Sequence, residues 1–148
     1  MIIALLTACA GDPGPPPLRE RISGTAAPTA ALRDSILTQT NAYWLAMNEG
    51  RLDDAFAFHT EDYQERLSMP AWRQKLPIAS AEPPRPVSIH WTQAARRQDG
   101  PELYAIVDWT GQSGETGSEG RLIWRQDYDG VFRLENAEQR LFLLPGSG

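Results

Sequence analysis

Leu103-Tyr104-Ala105-Ile106-Val107-Asp108-Trp109 is the stretch on which the fold turns. Leu103, Ala105, Val107 and Trp109 share one side of a two-residue period, while Tyr104, Ile106 and Asp108 take the other. That is the signature of a strand with one face packed. Upstream, Val87, Ile89 and Trp91 alternate with Ser88, His90 and Thr92, and Asp99-Gly100 supplies a hairpin turn between the two runs. Downstream, a Gly- and Ser-rich stretch from Gly111 to Gly120 reads as a loop. Leu122, Trp124 and Gln126 then alternate with Ile123, Arg125 and Asp127. Asp129-Gly130 turns the chain again into Val131 to Arg140.

The residues before these strands follow a different period. Leu32, Ile36, Leu37, Tyr43, Trp44 and Met47 recur at helical spacing, and Asn48-Glu49-Gly50 supplies a stop. Leu52, Ala55, Phe56 and His59 form the stripe of a shorter helix, with Asp53 and Asp54 in its first turn, where the helix dipole favours acids. Glu61 to Leu67 reads as a short strand or a turn. Ser68 caps a third helical piece that carries Trp72 and Leu76. Pro77, Pro83, Pro84 and Pro86 mark a connector. Helices followed by antiparallel strands predict an α+β domain whose helices cover one sheet face.

Composition narrows the function classes. A chain of 148 residues fits one domain, and five Trp, four Tyr and four Phe supply bulky core material. A net charge of -5 argues against nucleic acid as a partner, because neutralising phosphates needs a basic surface. One cysteine excludes an intrachain disulfide framework and a Cys-cluster metal site. No cofactor is expected. No apolar run approaches the roughly 20 residues that span a bilayer.

Residues 1–29 read as an address and a spacer. Met1 to Ala8 is a short apolar stretch, and a start placed too far downstream would explain its length and its lack of Lys or Arg. Leu6-Thr7-Ala8-Cys9 resembles the bacterial lipobox. The resemblance implies a signal peptide over 1–8, lipid on the Cys9 thiol and attachment to a membrane. Ala10 after the cysteine then implies the periplasmic side of the outer membrane, in the cell envelope. Residues 9–29 are the lipidated Cys and a Pro/Gly-rich tether, with Asp12-Pro13-Gly14-Pro15-Pro16-Pro17 as its stiffest part. The folded domain is placed over residues 30–144.

Within that domain a family resemblance stands on three segments. Ala46-Met47-Asn48-Glu49-Gly50-Arg51-Leu52-Asp53 is similar to the helical entry of the nuclear transport factor 2-like superfamily. His59-Thr60-Glu61-Asp62-Tyr63 fits the step after its second helix. Trp124 to Phe132 resembles its penultimate hairpin, and periplasmic members look most similar. The resemblance implies N-terminal helices packed on a strongly curved antiparallel sheet of about four to five strands, a cystatin-like cone with a pocket on its concave side. That superfamily includes isomerases that need a Tyr, a carboxylate base and a protonated acid. Tyr43 falls where the Tyr should be, but the base position falls near Leu67 and the acid near Trp124. Both are apolar, and a Tyr without a base abstracts no proton.

The chemistry-bearing residues are few. His59 lies on an apolar stripe, and His90 has the opposite strand parity, so the two do not converge on a metal. Asp108, Arg125, Arg133 and Glu135 share the outward parity of His90 and read as cross-strand charge pairs. The Gly111–Gly117 segment lacks Lys and joins strands, so it is not a phosphate loop. The aromatics that could line a pocket are Tyr43, Tyr63, Trp91 and Trp109, whereas Trp44, Phe56 and Trp124 read as core. Leu141-Phe142-Leu143-Leu144, at the end of the last strand, suits a dimer seam or a partner groove. The reading is of a lipid-anchored envelope domain that binds a partner protein or a small apolar ligand without catalysis. The alternative is an enzyme of polyketide-cyclase or dehydratase type, with Tyr43, His59 and Asp62 as its acid/base groups.

Overall fold

The computed structural model describes residues 17–24, 28–74, 84–96, 100–127 and 129–144. In chain order its elements are β1 (Arg19–Ile22), α1 (Ala30–Asn48), α2 (Leu52–Ala57), α3 (Glu61–Arg66), α4 (Met69–Arg73), β2 (Arg85–Arg96), β3 (Gly100–Ser113), β4 (Thr116–Gln126) and β5 (Phe132–Leu143). The strands form one sheet in the order β1-β2-β3-β4-β5. β1 runs parallel to β2, and every other neighbouring pair is antiparallel.

This sheet corrects the expected architecture. The α+β class holds, but the sheet is open, flat and mixed, not a strongly curved antiparallel cone. The resemblance to the nuclear transport factor 2-like superfamily therefore fails at the level of the fold. Period-2 alternation fixes which side chains are buried, and it is the same in a flat sheet and a bent one. The parallel strand was hidden as well. Arg19–Ile22 lies inside the stretch read as tether, and all four residues are exposed, so no apolar pattern announces it. Its pairing with Ser88–Trp91 is remote in sequence.

Each helix has a local cause. In α1, Ile36, Thr40, Tyr43 and Trp44 fall on one buried face at spacings of four, three and one. The Thr29 hydroxyl caps its start by accepting from the Leu32 N–H at 3.1 Å. Its end is a Schellman motif: Arg51 N–H donates to Ala46 C=O at 2.9 Å and Gly50 N–H to Met47 C=O at 3.2 Å. Gly50 has φ 73°, a conformation that costs glycine nothing. α3 replaces the strand or turn expected over 61–67. Thr60 accepts from Tyr63 N–H at 3.2 Å, and Glu61 and Asp62 occupy the first turn. Ser68 caps α4 as expected.

The expected loop from Gly111 to Gly120 is almost all strand, because β3 runs to Ser113 and β4 restarts at Thr116. Two of its glycines are there to receive rings from neighbouring strands. A Cβ on Gly120 would stand 2.5 Å from Trp109 Cζ2 and 2.1 Å from the Glu138 carbonyl oxygen. A Cβ on Gly117 would stand 2.6 Å from the Phe142 ring. Glycine in these strands marks close approach, not a flexible loop.

The helix-facing side of the sheet carries Ile89 and Trp91 (β2), Ala105, Val107 and Trp109 (β3), Leu122 and Trp124 (β4), and Phe132 and Leu134 (β5), all buried. All five tryptophans of the chain belong to this core. The opposite face carries the charge pairs that parity predicts. Arg121 bonds Asp108 at 2.8 Å, and Arg133 bonds Asp127 and Asp129, each at 2.8 Å. His90 sits on this face too, accepting at Nδ1 from Arg21 at 3.1 Å and bonding Ser23 Oγ through Nε2 at 2.6 Å.

Candidate functional site

The helix-facing side of the sheet is not uniformly sealed. Toward β2 and the start of β5 it is dry, and its indoles are tied. Trp91 Nε1–H donates to Glu20 at 3.1 Å, and Trp124 Nε1–H donates to the Thr40 hydroxyl at 3.1 Å. Glu20 in turn holds Arg33 of α1 through two contacts, one of them 2.9 Å, which pins β1 to the helix. Arg33 keeps the Glu20 carboxyl below its ordinary pKa.

Toward the middle of β5 the helices stand away from the sheet and leave a cleft of about 1000 Å³. Its bed is Tyr43, Trp44 and Met47 of α1, Leu52, Leu67, Trp72, Trp109 of β3 and Leu122 of β4. Trp44 meets Trp109 edge-on, with ring centroids 5.9 Å apart, and Trp72 leans against Phe56 at 5.2 Å. Trp109 lies over Gly120, and its indole nitrogen is buried with no hydrogen-bond partner among the described residues. The rim is polar: Asn48, Arg66 of α3, and the run Glu135 to Gln139 of β5. An apolar aromatic floor with a few polar groups at the mouth is the usual make-up of a small-molecule site, and the volume is at the top of the usual range.

The pocket candidates divide. Tyr43, Tyr63 and Trp109 line the cleft. Trp91 does not: it is 0% exposed, packs on Phe132 and spends its N–H on Glu20. Trp44, read from the sequence as core, is both core and cleft floor. Burial pushes the Tyr43 hydroxyl well above its ordinary pKa, so the phenol stays protonated.

Of the three acid/base candidates, Tyr43 and His59 meet edge-on with ring centroids 6.1 Å apart, but only Tyr43 lines the cleft, and Asp62 stands apart. His59 is fully buried beneath Tyr63, the two rings stacked at 4.2 Å, and it does not line the cleft. Its Nδ1–H donates to Phe56 C=O at 3.1 Å, while Nε2 is buried with no hydrogen-bond partner among the described residues. Desolvation lowers its pKa to about 4, so the ring is neutral at pH 7. Its backbone position is structural: Thr60 N–H donates to Leu134 C=O at 2.9 Å and Leu134 N–H to Phe58 C=O at 2.7 Å, which docks this segment on the β5 edge. The Asp62 carboxylate is mostly exposed and lies 4.0 Å from Arg125, away from the cleft. Tyr43 is thus the only one of the three in the site.

Among the described residues no group of three or more His, Cys, Asp or Glu could hold a metal, and no helix is long and apolar enough to cross a membrane. Cys9, the signal stretch 1–8, Asp12 to Pro16 of the tether and the Asp99 turn position lie outside the described residues. The residues that sequence reasoning missed are Trp72, Arg66 and the 135–139 run. Trp72 was visible as the apolar anchor of α4, but the β5 residues join the site only through strand order.

No family model, no curated protein and no solved structure matches the chain. Together with the open, mixed sheet, this corrects the family reading: the descriptors lipoprotein, membrane, periplasm and nuclear transport factor 2-like find no support in any comparison.

Proposed function

We propose that this domain is a binding module that takes a small apolar, ring-containing ligand into the cleft between α1 and the β4–β5 side of the sheet, without transforming it. The observation that carries the reading is the floor itself. Trp44, Trp72 and Trp109 meet around one cleft with Met47, Leu52 and Leu67, while the rim supplies amides and charges for orientation. The non-catalytic half of the reading is supported by the burial of His59 beneath Tyr63, out of the cleft, and by the position of Asp62 outside it, since acid/base work needs its groups within hydrogen-bond reach of one substrate.

The test is a fluorescence titration with 1-anilinonaphthalene-8-sulfonate on the folded chain. The expected result is saturable one-site binding that Met47→Glu abolishes while the circular dichroism of the chain is kept. Linear, non-saturating binding, or binding that Met47→Glu leaves intact, would overturn the proposal.

A further inference from the structure

Independently of any ligand, the exposed edge of β5 points to a second copy of this chain. Leu134 gives its N–H and C=O to Phe58 and Thr60, so those groups face away from β4. The register then slips by one residue at Ile123/Trp124. At the far end Leu144 N–H donates to Glu115 C=O at 3.0 Å, toward β4. Backbone groups alternate along an antiparallel strand. Ala137, Gln139, Leu141 and Leu143 therefore turn their N–H and C=O groups outward. Among the described residues no strand pairs with that edge beyond the single bridge at Leu134. The edge also carries two large exposed apolar side chains, Leu141 at 42% and Leu143 at 74%. A long edge of this kind is a template for another strand.

Charge selects which strand and which register. A two-fold pairing of β5 with itself must bring outward-facing residues opposite one another, so it centres on a single residue. Centred on Glu138 it sets Glu138 against Glu138, and centred on Arg140 it sets Arg140 against Arg140, each a like-charge clash. Centred on Gln139 it sets Arg140 opposite Glu138 twice, in the closer, non-hydrogen-bonded pairs. In that register residues 135–143 overlap, ending just short of Leu134, where Phe58–Thr60 already hold the edge. Ala137 pairs with Leu122 on the helix-facing side, so the Leu141 that comes opposite Ala137 enters on that side as well.

We infer that two copies of this chain pair antiparallel through residues 135–143 with Gln139 on the two-fold axis, making one continuous sheet in which Leu141 of each copy covers the mouth of the other's cleft beside Ala137.

The test uses the full chain in a Cys9→Ser background. Sedimentation velocity is expected to show a dimer. Arg140→Glu alone and Glu138→Arg alone should each weaken it roughly tenfold or more, and the two together should restore it. The register is read separately by oxidation. Cα atoms of hydrogen-bonded pairs lie about 5.5 Å apart, within disulfide reach. Gln139→Cys should therefore cross-link to itself, whereas Leu143→Cys should not. A monomer at high micromolar concentration, a dimer indifferent to both charge reversals, or self-cross-linking at Leu143→Cys and not at Gln139→Cys would each overturn the inference.

Discussion

The helix-facing side of the sheet divides into two regions built from the same material. Around Trp91 and Trp124 each indole N–H has a fixed partner, Glu20 or Thr40, and the surrounding Ile89, Phe132 and Leu134 are dry. Around Trp109 the indole N–H has no partner among the described residues, and Trp44, Trp72 and Leu67 leave a cleft instead of closing on it. A tied, sealed tryptophan is the mark of a core, because a buried N–H normally finds an acceptor. An untied one beside open volume belongs to a surface shaped for something else. The two regions should therefore respond differently to substitution.

The largest effect belongs to the sealed region. Trp124→Ala should cost about 3–5 kcal/mol of unfolding free energy in urea denaturation, since it removes a fully buried ring and strips Thr40 of its partner. If the loss is under 1 kcal/mol, the distinction between the regions fails at its stronger side.

Next comes pH. Burial lowers the folded-state pKa of His59 to about 4, while the unfolded imidazole titrates near 6.5. Between those values the unfolded chain binds the extra proton, so stability is fully present above about pH 6.5 and falls as the pH drops toward 4, by roughly 2–4 kcal/mol. Asp129 stays ionised through this window, because Arg133 and the Val131 N–H hold its pKa at about 2. Denaturation midpoints measured from pH 7.5 to 4 should show the loss, and His59→Phe should flatten it. An unchanged slope in His59→Phe would assign the loss elsewhere.

Gly120→Ala lies on the border of the two regions. The added methyl meets the Glu138 carbonyl as well as the Trp109 ring, and a backbone cannot rotate away, so about 1–3 kcal/mol should be lost. The smallest effect is expected at Trp109→Phe, about 1 kcal/mol or less, because truncation also removes a buried N–H that has no partner among the described residues and the vacated space opens to the cleft. Thermal melts distinguish these two variants, and equal losses would erase the border.

How much of this the sequence displayed follows from how local each cause is. α1, its Gly50 stop, the Ser68 cap and the parity of β2, β3 and β4 are written in neighbouring residues, and the structure keeps them. Residues 61–67 read as a strand or turn although Thr60, Glu61 and Asp62 carry the cap and acidic first turn of α3, because six residues give too little period to set against a short strand. β1 has no apolar side to reveal it. The glycines of β4 look like a loop until Trp109 and Phe142 are placed over them. Sheet shape was never in the alternation, and the cone came from a resemblance that the fold overturns. In the site, Tyr43, Tyr63 and Trp109 were legible as aromatics at pocket-facing positions. Trp91 was not separable from them, since only the partner Glu20, on a strand hidden in the tether, marks it as core.

The most direct measurement follows the five indole N–H resonances of the chain by ¹H–¹⁵N correlation while 1-anilinonaphthalene-8-sulfonate is added. If the cleft is the binding site, the signals of Trp44, Trp72 and Trp109 shift and saturate together, while those of Trp91 and Trp124 stay in place. Shifts at Trp91 and Trp124, or no saturable shift at Trp44, Trp72 and Trp109, would contradict the account.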